Sequence, residues 1–136
     1  MLAMLARPAK DEPVEQFHRR MWTTQVAPTF VEREPERFDE LMRQISSRVT
    51  PRVAMINQLR AIAGWYGSER LRRIRAPTVV VHGDIDPMVP VGNGIRLAKL
   101  IPEARYVELA GVGHLPALEN PAALERILLE DPPPRG

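Results

Sequence analysis

Cysteine is absent from the 136 residues, which excludes disulfides, thiolate zinc sites, iron–sulfur clusters and a cysteine nucleophile. No apolar run approaches the ~18 residues that a membrane-spanning helix needs. The apolar opening Met1 to Ala6 is too short for the core of a signal peptide and has no basic stretch before it. A cytoplasmic protein with no membrane role is therefore expected. Charge of one sign is not in excess either, since 19 basic residues against 17 acidic ones leave a net charge of +2. All basic residues but Lys10 and Lys99 are arginines, scattered beside glutamates as on solvated helix faces rather than gathered into a phosphate-binding stripe. Nucleic acid is not an expected partner. With 44% hydrophobic and 26% charged residues, what remains has the composition of one folded domain or of part of one.

The first half reads as all helix. Val14, Phe17, Met21 and Trp22 recur at helical spacing, as do Phe38, Leu41, Met42, Ile45 and Val49, and then Val53, Ile56, Leu59 and Ile62. Pro28 closes the first run, Pro35 opens the second, Pro51 begins the third, and a break over Gly64 to Gly67 ends it. A short basic helix over Glu69 to Ile74 then leads into Thr78-Val79-Val80-Val81-His82, whose run of β-formers predicts a strand buried on both faces. Ile95, Ala98, Leu100 and Ile101 predict a helix closed by Pro102, and Arg105 to Leu109 alternates as a second strand. Asn120 as N-cap before Pro121 starts a last helix with Leu124, Ile127 and Leu128. Pro132, Pro133 and Pro134 forbid its continuation.

Strand, helix, strand in that order is one βαβ unit, with parallel pairing and a right-handed crossover. The helices present are too few to cover both faces of such a sheet and protect both edges, and no internal repeat supplies further strands. A second copy or a further portion of polypeptide is expected to complete it.

Reactive groups of a parallel sheet gather on the loops that leave the carboxyl ends of its strands. Here those loops are Gly83 to Pro90 and Ala110 to Pro116, and adjacent strands would bring them to one edge. The first offers the carboxylates Asp84 and Asp86, and the other offers His114. A carboxylate that orients an imidazole, which in turn moves a proton, is two-thirds of a hydrolytic triad. The plainer alternatives are a turn role for Asp86 before Pro87 and a solvated loop histidine at His114. His82, Asp84 and Asp86 also have ligand chemistry, but the turn at Gly83 breaks the geometry and no second ligand cluster exists, so no metal is expected. His82 reads as a strand-end residue hydrogen-bonded below the site, and His18 as a helix-surface residue. Trp22, Trp65 and Tyr66 fit either an acyl pocket or plain packing.

The segment Arg75 to Pro90, Ala-Pro-Thr-Val-Val-Val-His-Gly-Asp-Ile-Asp-Pro at its centre, together with Gly113-His114 followed by Pro116, Glu119 and Pro121, resembles the α/β-hydrolase superfamily in its esterase- and lipase-like branch. The resemblance implies an α/β fold: the C-terminal part of an α/β-hydrolase core, a parallel βαβ unit plus final helix, preceded by an all-helical cap. It divides the chain into a cap-like segment over 1–68, core over 69–131 and a Pro-rich tail over 132–136. It implies Asp86 as the triad acid, His114 as the triad histidine, a small-molecule ester or acyl substrate, and no cofactor.

The family's nucleophile elbow, G-x-S-x-G, does not occur here. Ser46 and Ser47 fall in a predicted helix and Ser68 in a loop, none flanked by glycines at the elbow spacing. The expectation is therefore a hydrolase segment that is inactive alone, partnered by a complementing N-terminal hydrolase portion or by a second copy of itself. The alternative is a non-catalytic remnant serving as a binding or oligomerisation module.

Overall fold

The computed structural model describes residues 8–47, 51–64 and 67–129. Prolines set the helix starts of its first half. Pro13 precedes α1 (Val14–Thr23), Pro28 opens α2 (Pro28–Arg33), Pro35 opens α3 (Pro35–Ser46) and Pro51 precedes α4 (Arg52–Ala63). Pro28 follows the end of the first helix, as expected, and itself opens the next one. A ring that cannot continue a helix costs nothing at its first position, where the missing N–H has no partner anyway. The basic stretch forms only the single turn α5 (Ser68–Leu71), so Ser68 begins a helix rather than lying in a loop.

The second half is β1 (Val79–Gly83), α6 (Val91–Leu100), β2 (Arg105–Leu109), α7 (Pro116–Glu119) and α8 (Pro121–Leu129). β1 lies one residue later than its β-formers suggest. α6 begins at Val91, directly after Pro90, rather than where the apolar spacing starts at Ile95. α7 is a turn the apolar pattern does not mark. Asn120 caps α8 as expected, its Oδ1 accepting the Ala123 N–H at 3.1 Å.

β1 and β2 pair in parallel, Val79 opposite Arg105 through Gly83 opposite Leu109. Side-chain alternation then sorts the faces. Val79, Val81 and Val107 pack with Leu109, Val112, Ala123 and Ile127 on the α8 side. Val80 and Tyr106 pack with Ala98, Ile101 and Leu97 on the α6 side. One helix packs on each face, but Val79, Val81 and Val107 beneath α8 and Tyr106 beneath α6 stay only partly buried, in keeping with the expected shortage. The edges match the expectation, because among the described residues the sheet has these two strands and no more.

The helical half has its own core of Val26, Ala27, Phe30, Phe38 and Met42, with Phe30 and Phe38 meeting edge to face. Leu115 from the loop after β2 and Leu118 from α7 pack into it, so the two halves share one apolar cluster. Among the described residues no helix is long and apolar enough to cross a membrane.

Candidate active site

Parallel pairing delivers the loops after β1 and β2 to the same edge, and main-chain contacts lock them together. The Asp84 N–H donates to Leu109 O at 3.1 Å and the Ile85 N–H to Val112 O at 3.3 Å. The approach is so close that a Cβ on Gly83 would sit 2.1 Å from Val112 O, so only glycine fits where the strand leaves the sheet.

Asp86 and His114 meet at this edge. Nδ1 of His114 lies 2.9 Å from Oδ2 of Asp86, while Oδ1 accepts the Met88 N–H at 2.7 Å and the Val89 N–H at 2.9 Å. The carboxylate side chain is only 6% exposed, whereas the imidazole is 33% exposed. Burial pushes the Asp86 carboxyl upward, but the hydrogen bonds from His114, Val89 and Met88 outweigh it and hold the group below the usual carboxylate range. An ionised carboxylate only accepts, so the His114 proton sits on Nδ1 and Nε2 presents its lone pair. That is the tautomer a general base requires.

Asp84 is not at the imidazole. Its Oδ1 accepts the Gly111 N–H at 2.7 Å, capping the second loop, so Asp86 and not Asp84 is the carboxylate directed at the imidazole. His82 does lie below the site as expected, with Nε2 3.0 Å from Val89 O. A carbonyl can only accept, so that nitrogen carries the proton. The same nitrogen is 3.5 Å from Asp86 Oδ2, a proximity that residue spacing did not reveal. His82 and Asp86 thus hold the Val89 main chain at its C=O and its N–H.

None of the serines with a described side chain joins this pair. The Ser47 hydroxyl donates to Gln44 O at 2.7 Å, and Ser46 Oγ lies 3.0 Å from Nδ1 of His18. His18 is accordingly half-buried between α1 and α3 rather than a free surface residue. Trp22 packs against the helical core, while Trp65 and Tyr66 lie outside the described residues.

The chain is an α/β-hydrolase. The family model of the alpha/beta hydrolase fold matches residues 14–121, most of the chain and both loops of the site. Among curated proteins, a poly(3-hydroxyalkanoate) depolymerase of Ectopseudomonas oleovorans is 33% identical over 107 residues, 77% of this chain and 38% of that protein. A 2-hydroxy-6-oxo-6-phenylhexa-2,4-dienoate hydrolase of Burkholderia cepacia is 32% identical over 69 residues, 51% of this chain and 24% of that one. This α/β-hydrolase thus spans well under half the length of these curated relatives. Solved structures share its fold. A thermophilic esterase from Thermogutta terrifontis matches with a TM-score of 0.67 at 22% identity, covering 92% of this chain and 51% of that one. A meta-cleavage product hydrolase matches with a TM-score of 0.69 at 19% identity, covering 95% and 48%.

Proposed function

We propose that Asp86 and His114 are the acid and base of a serine-hydrolase triad acting on carboxylic esters, with the nucleophile contributed by polypeptide outside these 136 residues. One observation carries the reading: a buried carboxylate bonded to Nδ1 of an accessible histidine, at the carboxyl edge of parallel strands. The polyester depolymerase among the relatives and the esterase among the fold neighbours support the substrate class. In this reading the helices α1 to α4 serve as the cap, and the βαβ unit with α7 and α8 belongs to the catalytic core.

In this reading Nε2 of His114 takes the hydroxyl proton of the serine as its oxygen bonds to the acyl carbon. Asp86 stabilises the resulting imidazolium, which returns the proton to the departing alkoxide. A water deprotonated by the same nitrogen then releases the acid and restores the serine.

The test is complementation. The chain alone should hydrolyse a small activated ester no faster than its His114→Ala variant, because it brings neither elbow nor oxyanion donors. Combined with an N-terminal hydrolase portion carrying G-x-S-x-G, it should gain turnover that falls by about 10⁶-fold on His114→Ala. Complemented turnover indifferent to His114 and Asp86 would reject the assignment. It would favour instead a non-catalytic binding or oligomerisation module, the reading to which the unpaired strand edges and the exposed Leu128 and Leu129 of α8 also point.

A further inference from the structure

Resting on the reading of His114 as the base, we infer that Glu119 is its positioning residue, and that it makes docking of the α1–α2 corner a condition for the Asp86–His114 pair. Glu119 ends α7, five residues after the histidine, and is only 8% exposed. Its side chain takes no part in the Asp86–His114 contact. It gathers main-chain N–H groups instead. Oε2 accepts from Gly113 at 2.8 Å and from Ala27 at 2.8 Å, and Oε1 accepts from Leu115 at 3.0 Å.

The pattern around the histidine is closed. Gly113 and Leu115, its two chain neighbours, both donate to Glu119, and the His114 N–H itself donates to Gln25 O at 2.9 Å. Three consecutive N–H groups are therefore committed, two to one carboxylate and one to the corner between α1 and α2. The same carboxylate holds the corner through Ala27, 92 residues away in the chain. Gln25, Val26 and Ala27 are all buried, at 5%, 2% and 1% exposure. There is no slack in the contact, because a Cβ on Gly113 would lie 2.7 Å from Ala27 N and 2.9 Å from Val26 C.

An ionised carboxylate suits this task better than a neutral side chain. It offers acceptor sites on two oxygens and no donor, so it can satisfy three N–H groups converging from different stretches of chain. With the backbone of residues 113–115 held in this way, any loosening of it is felt at the bond from His114 Nδ1 to Asp86. The helical segment is then part of what aims the base rather than only a cover over it.

Nuclear magnetic resonance on the full 136-residue chain tests this without any need for turnover. The parent should show a downfield Nδ1–H signal from His114 that Asp86→Ala abolishes. Glu119→Gln keeps the size but places an NH₂ against one of the three N–H groups. It should retain its helical circular dichroism, lose the His114 Nδ1–H signal to solvent exchange, and speed amide exchange at Ala27, Gly113, His114 and Leu115 together by at least tenfold. Gly113→Ala, which forces the corner away while leaving Glu119 intact, should lose the same signal. A persistent Nδ1–H signal in folded Glu119→Gln, with Ala27 alone exchanging faster, would overturn the inference, since Glu119 would then be a tether and nothing more. A parent signal insensitive to Asp86→Ala would instead overturn the acid–base pairing and this inference with it.

Discussion

Two glycines of α6, two residues apart, should respond to alanine with opposite signs. Gly92 faces open space, with nothing within 4 Å of the point where a Cβ would stand. Alanine there should stabilise the chain by about 0.5–1 kcal/mol, chiefly by narrowing the unfolded ensemble. Gly94 is buried against His82, and its Cβ would fall 2.5 Å from Nδ1 and 2.9 Å from Cγ of the ring. The ring would have to retreat by about 1 Å to reach an ordinary contact. That motion pulls Nε2 off Val89 O, where it now lies at 3.0 Å. Overpacking costs about 1–3 kcal/mol and a lost buried hydrogen bond about 1 kcal/mol more, against a helix-propensity gain of about 1 kcal/mol. The net expectation for Gly94→Ala is a destabilisation of about 1–3 kcal/mol, read by urea unfolding followed by circular dichroism. Because the Val89 N–H also donates to Asp86, the variant should weaken the His114–Asp86 signal, whereas Gly92→Ala leaves it intact. Equal stabilisation by both alanines would refute the reasoning, since it would mean that the His82 ring swings freely and clamps nothing.

Other measurements bear on the rest of the molecule. Phe38 is wholly buried and stacked edge to face on Phe30, so Phe38→Ala should cost about 3–5 kcal/mol in the same unfolding assay. Asp86 has a lower pKa folded than unfolded, because the His114, Val89 and Met88 bonds outweigh burial. Its contribution to stability is therefore full above the unfolded carboxylate value of about 3.9 and is lost as pH falls through the lower folded value. Asp86→Asn should flatten that acid limb of the stability curve. Sedimentation should find the chain associated at micromolar concentration, as the unpaired edges of β1 and β2 require; a stable monomer would count against this.

That the loops bearing Asp86 and His114 meet was legible in the order of residues, because a βαβ unit has one handedness and one direction of pairing, whereas the choice of Asp86 over Asp84 came from the family resemblance. Once Val79 to Val81 and Tyr106 to Val107 are strands, the loops after them must share an edge. The helical first half and the cap on α8 were legible for a similar reason, since apolar spacing and the backbone limits of proline and asparagine act over a few residues. What escaped were contacts whose partners are main-chain groups. Glu119 figures in the sequence only as part of the family's histidine-loop pattern, and nothing in its neighbours announces that Ala27 will reach it. His82 gives no sign of Val89 or Gly94, nor His18 of Ser46, although the prolines at 116 and 121 do frame a turn that an acid could close. Local pattern records which face of an element is apolar. Every residue but proline carries the same N–H and C=O, so which of them a buried carboxylate or imidazole finds is decided only when distant segments pack.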